Sequence, residues 1–222
     1  MLINADFTRP VVVAPHQYQW VASPQAGVDR VMLDRVGAEN ARATSIVRYA
    51  PGSCFSRHLH PGGEEILVLS GTFSDERADY PAGWYLRNPP GSSHQPSSAE
   101  GAVIFVKLQQ MPASEQRPVR INTRAPSNWY RQGSREVCPL FADDSEQVSL
   151  QRLVANEHLF NDPLQGFELL VLEGSVTVGE QPYERGTWLR LPAGHNLDIV
   201  AGQQGATAYL KTGHLTPSVV QA

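Results

Sequence analysis

Three histidines and one glutamate in the first half of the chain are of the residue types that bind metal ions. They are His58, His60, Glu64 and His94. Imidazole nitrogens and a carboxylate oxygen form a mixed ligand set that suits Fe, Mn, Co, Ni, Cu or Zn. We therefore predict that these four side chains bind one divalent transition metal ion. Zinc is the favoured ion, and iron, manganese or nickel are the alternatives.

The spacing of these residues fits extended strands. Side chains two residues apart lie on the same face of a β-strand, so His58 and His60 would point the same way. Glu64 falls on that face if the turn at 61–63 keeps the register, and Glu65 then points to the other face. His94 lies thirty residues beyond Glu64, after a second turn. A β-barrel can bring it back beside the other three.

Two further residues are candidates for the surroundings of this site. Cys54 lies four residues before His58 and would face the same pocket in an extended strand. It is either a thiol near the metal or an inert small hydrophobe. Arg48, on the preceding strand, could face the pocket and hold an anion, or it could be solvated or salt-bridged.

Composition points to an ordinary globular protein. Of its 222 residues, 41% are hydrophobic and 18% are charged, and the net charge is -4. Lysines and arginines are not clustered as they are in nucleic-acid-binding domains. The apolar runs are four or five residues long, whereas a membrane-spanning helix needs about 20. We therefore expect neither nucleic acid nor membrane as a partner.

The cysteine count and the N-terminus predict a cytoplasmic protein. Cys54 and Cys138 are the two cysteines, and they are far apart in sequence. A secreted disulfide scaffold usually carries more, and we expect Cys138 to fill a core. Residues 1–10 lack a basic segment followed by an apolar one, so we expect no signal peptide.

Prolines and glycines divide the chain into short apolar segments. The chain has 17 prolines and 18 glycines, spread throughout. Segments such as 45–49, 66–69, 103–106 and 169–172 are short and rich in β-branched or apolar residues, without helical periodicity. This pattern predicts an all-β fold, either a sandwich or a barrel.

An internal repeat defines the domain organisation. Segment 65–71 (EILVLSG) matches segment 168–174 (ELLVLEG), and segment 80–91 matches segment 183–194. The equivalent glycines of the two copies are all separated by 103 residues. One offset without gaps across two strand–turn units indicates two copies of a single β domain.

The two copies differ at the predicted ligand positions. The polar stretch 109–126 is the expected join, which gives domains of 1–112 and 113–222. The positions in the second copy that correspond to the four ligands are Asn161, Pro163, Phe167 and Leu197. Proline offers no side-chain donor, and phenylalanine and leucine are apolar. We therefore expect a second domain without metal ligands, in which His195 is a turn residue two positions short of the ligand place.

The spacing of these residues resembles the two cupin motifs. The first motif places glycine, His-x-His, glutamate and glycine as at Gly52, His58, His60, Glu64 and Gly71, and the second places glycine, Pro-x-Gly and histidine as at Gly83, Pro89, Gly91 and His94. The six-residue gap before Gly71 selects Glu64 over Glu65 as the ligand. Ser98 stands where the motif has asparagine, a position that usually shapes a turn. The resemblance implies two tandem cupin barrels of the double-stranded β-helix, or jelly-roll, type.

Within the cupins the chain is similar to the ChrR-type group, the cupin-like half of certain anti-sigma factors. The similarity is carried by segments 57–71, 73–76, 79–83 and 87–94. It implies a metal-binding regulatory or stress-sensing module with an ECF sigma factor as partner. The first forty residues contain one histidine and no cysteine, so we do not expect the zinc-binding helical unit that grips the sigma factor in that group.

The sequence is therefore consistent with two functions. The first is the regulatory module just described. The alternative is an Fe(II)-dependent dioxygenase acting on a small diketone or hydroxyketone, in which a six-coordinate metal has two open positions. In that enzyme Arg48 or a tyrosine of the pocket would hold the substrate enolate. We expect the chain to be a monomer or a homodimer.

Overall fold

The computed structural model describes residues 1–38, 40–160, 166–195 and 198–215. These residues form β-strands and two short 3₁₀-helices, Pro15–Gln17 and Pro126–Asn128, which confirms the all-β prediction. The strands are β1 (Leu2–Ile3), β2 (Val11–Val13), β3 (Val21–Ala22), β4 (Val28–Val36), β5 (Arg42–Tyr49), β6 (Ser53–Cys54), β7 (His58–Leu59), β8 (Glu64–Ser74), β9 (Asp79–Pro81), β10 (Trp84–Asn88), β11 (Ser93–His94), β12 (Ser97–Ser98), β13 (Ala102–Leu108), β14 (Val119–Asn122), β15 (Tyr130–Gln132), β16 (Arg135–Ala142), β17 (Gln147–Leu153), β18 (Gly166–Val178), β19 (Gln181–Glu184), β20 (Trp188–Pro192) and β21 (Ile199–Thr212).

The chain divides into two compact units. The first unit comprises Met1–Ala5 and Gln19–Arg124, and the second comprises Asp6–Tyr18 and Ala125–Ala222. These bounds differ in two segments from the division at residue 112 that the sequence suggests. Strand β14 belongs to the first unit because it pairs with β10, and β2 belongs to the second because it pairs with β20. Backbone pairing of this kind leaves no signal in composition.

The first unit has an antiparallel sheet in which β8 is central. The strands run in the order β1-β4-β5-β13-β8-β10-β14, and β7 and β11 form a separate two-stranded ladder. One face of β8, β10 and β13 carries the apolar core of the unit. Its buried members are Val28, Tyr49, Ile66, Val68, Phe73, Tyr80, Leu86, Ala102, Ile104 and Val106.

The second unit repeats this arrangement. Its sheet runs in the order β15-β16-β17-β21-β18-β20-β2, so β18, β20 and β21 occupy the places of β8, β10 and β13. Its core consists of Leu153, Leu159, Phe167, Leu169, Val171, Val176, Leu189, Leu191, Ile199, Ala201, Ala206, Ala208 and Leu210.

Gly71 and Gly174 show why the repeat keeps glycine at one position. Their φ angles are +67° and +69°, in the left-handed region that side chains disfavour. A Cβ on Gly71 would lie 2.0 Å from the carbonyl oxygen of Gly101. A Cβ on Gly174 would lie 2.2 Å from the carbonyl oxygen of Gly205. Both units therefore bring a glycine of the central hairpin strand against the carbonyl of an equivalent glycine, Gly101 or Gly205.

Among the described residues, no helix has both the length and the apolar character needed to cross a bilayer.

Candidate metal centre

A short antiparallel ladder brings two of the predicted ligands together. Strand β7 pairs with β11 so that His58 lies directly opposite His94. The main chain of His60 extends the ladder, since its N–H donates to the Ser92 carbonyl at 2.9 Å and its carbonyl accepts from the Gly91 N–H at 2.9 Å. The Pro-x-Gly turn before His94 therefore returns the chain to the His-x-His segment.

Strand alternation decides between the two neighbouring glutamates. Glu64 opens β8 and lies opposite Asn88 in the ladder with β10. Its carboxylate approaches the histidines, whereas the carboxylate of Glu65 points to the other face and lies 3.2 Å from Nη1 of Arg87. The repeat keeps that pair, because Glu168 lies opposite Arg190 in the ladder of the second unit.

The four predicted ligands converge on one point. Within the described part of the chain they are the one group of three or more His, Cys, Asp or Glu residues whose ligand atoms all lie within 4.8 Å of one another. Oε2 of Glu64 is 3.4 Å from Nε2 of His60 and 3.4 Å from Nε2 of His94. The three imidazole rings are 4.5 to 5.1 Å apart between centroids. The arrangement has the dimensions of a cage for a single ion.

Two of the imidazoles, those of His58 and His60, are hydrogen-bonded through Nδ1, which leaves Nε2 available to a metal ion. Nδ1 of His58 lies 3.0 Å from the Ser56 carbonyl oxygen, and Nδ1 of His60 lies 3.0 Å from Oγ of Ser92. Among the described residues, Nε2 of His60 and both ring nitrogens of His94 are buried without a hydrogen bond, and Nε2 of His94 is the one that faces Glu64. A buried nitrogen lone pair without a partner is unfavourable, and a metal ion would satisfy it. The residues present therefore fit a divalent metal.

Residues outside the predicted ligand set hold the ligands in place. Nδ2 of Asn88 donates to Oε2 of Glu64 at 2.9 Å, and Nη2 of Arg120 donates to Oδ1 of Asn88 at 2.5 Å. Oδ2 of Asp75 lies 3.9 Å from Nδ1 of His94, which is an electrostatic contact beyond hydrogen-bond distance. Such outer partners fix the orientation and basicity of metal ligands. The sequence did not predict these roles of Asn88, Asp75 and Arg120. For Arg120 the reason is that β14 carries no recognisable motif.

The environment of the cage lowers the pKa of two of its imidazoles, those of His60 and His94. Burial, together with the nearby His58 and Arg120, lowers the pKa of His60 from 6.5 to about 4. Burial also lowers the pKa of His94, against the opposing effect of the Glu64 carboxylate. Neutral imidazole is the form that coordinates metals, so these two histidines are in the metal-binding form at neutral pH.

The same pKa shift predicts how the stability of the metal-free protein depends on pH. Between pH 6.5 and about 4 the unfolded chain protonates His60 whereas the folded chain does not. Protonation then favours the unfolded state, so the free energy of unfolding should fall as pH drops through this window. Urea denaturation of metal-free protein from pH 7 to pH 4 measures this. The His60→Ala variant should show a shallower fall, and an equal slope in both proteins would contradict the assignment.

A cavity of about 470 Å³ opens beside the cage. His58, His60 and Glu64 form part of its wall, and Tyr49 lies there too. Burial and the nearby Glu64 carboxylate raise the pKa of the Tyr49 phenol, which is therefore a hydrogen-bond donor at neutral pH. Apolar side chains complete much of the wall, namely Val28, Val47, Ile104, Val106 and Leu108. The cage thus adjoins a largely apolar space of small-molecule size.

Neither Arg48 nor Cys54 lines the cavity, although the sequence left both open as pocket residues. Arg48 points away from the cavity, because Val47 and Tyr49 occupy the inward positions of β5. Its guanidinium instead pairs with Asp29 at 2.8 Å. Cys54 is exposed and does not line the cavity. It lies on β6, which pairs with β12, whereas His58 lies in the separate ladder of β7 and β11. Cys138 is buried, as its core-filling role predicts.

Of the four positions in the second unit that correspond to the candidate ligands, the structure describes one, and its side chain is apolar. Phe167 corresponds to Glu64 and is buried, with its ring centroid 4.8 Å from that of Phe160. The other three equivalents, Asn161, Pro163 and Leu197, lie outside the described residues. His195 is exposed and follows the turn at 193–194.

Comparison with known proteins identifies the segment that carries the cage. Residues 8–112 match the model of the ChrR cupin-like domain family. All four candidate ligands and most of the cavity wall fall within this segment. No curated protein matches the chain.

Several solved structures are similar to this chain in fold. A candidate dioxygenase from Nostoc punctiforme PCC 73102 is 14% identical with a TM-score of 0.72, and the match covers 99% of this chain and 85% of that one. The Escherichia coli pirin YhhW, solved with nickel(II), is 14% identical with a TM-score of 0.67 and coverages of 92% and 98%. E. coli Ylba is 17% identical with a TM-score of 0.68 and coverages of 93% and 92%. At these identities the likeness shows the fold, and it confirms the prediction of tandem cupin barrels.

Proposed function

We propose that this chain is a metal-dependent enzyme acting on a small oxygen-containing molecule, with Fe(II)-dependent dioxygenation of a small diketone or hydroxyketone as its reaction. The observation that carries the proposal is the cavity beside His58, His60 and Glu64. A purely structural ion has no use for such a space, whereas a substrate needs one. The Nostoc punctiforme protein with the same fold is described as a candidate dioxygenase, which agrees with this proposal.

The residues of the chain have distinct roles in this proposal. His58, His60, Glu64 and His94 would hold the metal, which supplies Lewis acidity and positions for ligands when bound. The apolar wall packs against the carbon skeleton and excludes water, which strengthens electrostatic contacts within the site. The protonated Tyr49 hydroxyl, near the Glu64 carboxylate, donates a hydrogen bond to a substrate oxygen.

Oxygen consumption tests the proposal directly. Protein loaded anaerobically with Fe(II) should take up oxygen when given a panel of small diketones, hydroxyketones and their carboxylated analogues. Zn(II)-loaded protein and the His60→Ala variant should take up none. Protein with iron bound in a one-to-one ratio that consumes no oxygen with any member of the panel would contradict the dioxygenase.

A regulatory module is the second candidate, and the family match favours it. Residues 8–112 match the ChrR cupin-like domain family, and the resemblance to that group implies an anti-sigma role. In this alternative the metal cage would control contact with an ECF sigma factor. Co-purification of the chain with ECF sigma factors co-expressed from the same genome tests it. Capture that requires His60 would support the regulatory module, and failure with every sigma factor would exclude it.

A further inference from the structure

Arg30 places a positive charge in the wall of the cavity beside the candidate metal ligands. It lies on β4, opposite Val47 of β5, and both residues line the cavity. The side chain is partly buried, and its Nε is fully buried without a hydrogen bond. Among the described residues Arg30 has neither a hydrogen-bonded nor an ionic partner for its guanidinium.

The other charged groups of this wall are already engaged. Arg35 donates to the Ala38 carbonyl. Arg57 donates to the Glu76 carboxylate at 2.6 Å. Glu64 is the carboxylate that the described wall contains, and it faces the imidazoles and Asn88 rather than an arginine. The protein therefore provides no anion for Arg30 within the described residues.

An unpaired guanidinium in a partly desolvated wall is unfavourable unless a ligand pairs with it. Arginine stays charged at every physiological pH, and its planar fork binds a carboxylate through two parallel hydrogen bonds. A divalent ion next to the single Glu64 carboxylate would add further positive charge to the same cavity. The electrostatics of the cavity therefore favour an anionic molecule over a neutral one of the same shape.

We propose that the small diketone or hydroxyketone that binds in this cavity also carries a carboxylate, and that this carboxylate binds Arg30. This inference rests on the proposed function, because it takes the cavity as the substrate site. The keto or hydroxy oxygen would point toward the metal cage and Tyr49, and the carboxylate would point toward β4. Arg30 is then a specificity-determining residue, which the sequence did not reveal because a lone arginine on a strand has no motif.

A matched pair of probes tests the inference without turnover. Acetoacetate and pentane-2,4-dione have nearly the same shape, but only acetoacetate carries a carboxylate. Their binding is measured by isothermal titration calorimetry to Zn(II)-loaded and to metal-free protein. Arg30→Met should weaken acetoacetate binding by about tenfold or more. In the metal-free protein, where pentane-2,4-dione stays neutral, the substitution should change binding of the diketone by less than about threefold, because a neutral ligand forms no ion pair with the guanidinium. Arg48→Met, which alters an arginine outside the cavity, should change neither.

The outcomes separate this inference from the proposed function. Unchanged acetoacetate binding in Arg30→Met would overturn the inference, even if Fe(II) protein consumes oxygen. Selective loss of acetoacetate binding would support it, even if no oxygen is consumed. Urea denaturation without ligand gives a further readout, because removing an unpaired, partly buried charge should leave stability unchanged or raise it. A strongly destabilised Arg30→Met variant would assign Arg30 a structural role and overturn the inference.

Discussion

Replacing His60 by alanine is expected to abolish metal binding. The side chain is 4% exposed, and its Nε2 faces Oε2 of Glu64 at 3.4 Å with no hydrogen bond of its own among the described residues. The substitution removes one of the four candidate ligands. Loss of a partner that merely orients a ligand reduces metal affinity by about 10- to 100-fold, so loss of a ligand itself should exceed that. Elemental analysis and chelator competition measure the change.

His195→Ala is the matched control for this prediction. His195 lies in the second unit, is exposed, and follows a glycine-containing turn as a ligand histidine would. Its variant should keep the metal content and affinity of the parent protein. Loss of metal from the His195 variant, or retention of metal at full affinity by the His60 variant, would place the ion elsewhere.

Gly71→Ala is expected to destabilise the first unit strongly. The residue has a φ of +67°, and an added Cβ would lie 2.0 Å from the Gly101 carbonyl oxygen. Relief of that overlap requires the backbone of β8 at Gly71 to move away from Gly101, which immediately precedes β13. Backbone strain together with forced displacement should lower the free energy of unfolding by about 2–5 kcal/mol. Urea denaturation followed by tryptophan fluorescence measures it.

Gly91→Ala is the control that distinguishes the effect of steric overlap from the effect of backbone strain. Gly91 has a similar φ of +80°, but nothing lies within 4 Å of the position that an added Cβ would take. This variant should lose only about 1–2 kcal/mol, the ordinary penalty of a left-handed residue. Equal losses in the two variants would show that the close approach of Gly71 to Gly101 does not control stability. Gly174→Ala should resemble Gly71→Ala, since its Cβ would meet the Gly205 carbonyl oxygen at 2.2 Å.

The convergence of the four candidate ligands could be predicted because it depends on two local rules. Strand alternation separates Glu64 from Glu65, and the structure shows Glu65 on the other face with Arg87. Turn chemistry returns His94 to His58 through a short ladder. The repeat of glycines likewise predicted two copies of one fold, because positions such as Gly71 and Gly174 tolerate no side chain.

The remainder of the site depends on long-range strand order, which alternation alone does not reveal. In the ladder of β4 and β5, Arg30 lies opposite Val47 and Arg48 lies opposite Asp29. With this register Arg30 lines the cavity and Arg48 does not. Arg120 reaches Asn88 only because β14 joins the edge of β10. The position of Cys54 also depends on strand pairing. It lies on β6 opposite Ser97 of β12 and is exposed.

The position of the bound ion is the most direct test of the four-ligand centre. Crystals of metal-loaded protein, measured on both sides of the absorption edge of the bound metal, give an anomalous difference map that locates the ion. We expect one peak in the first unit, at about 2.0–2.2 Å from one atom each of His58, His60, Glu64 and His94. A peak in the second unit, or no peak at the four converging side chains in protein shown to contain stoichiometric metal, would contradict this centre.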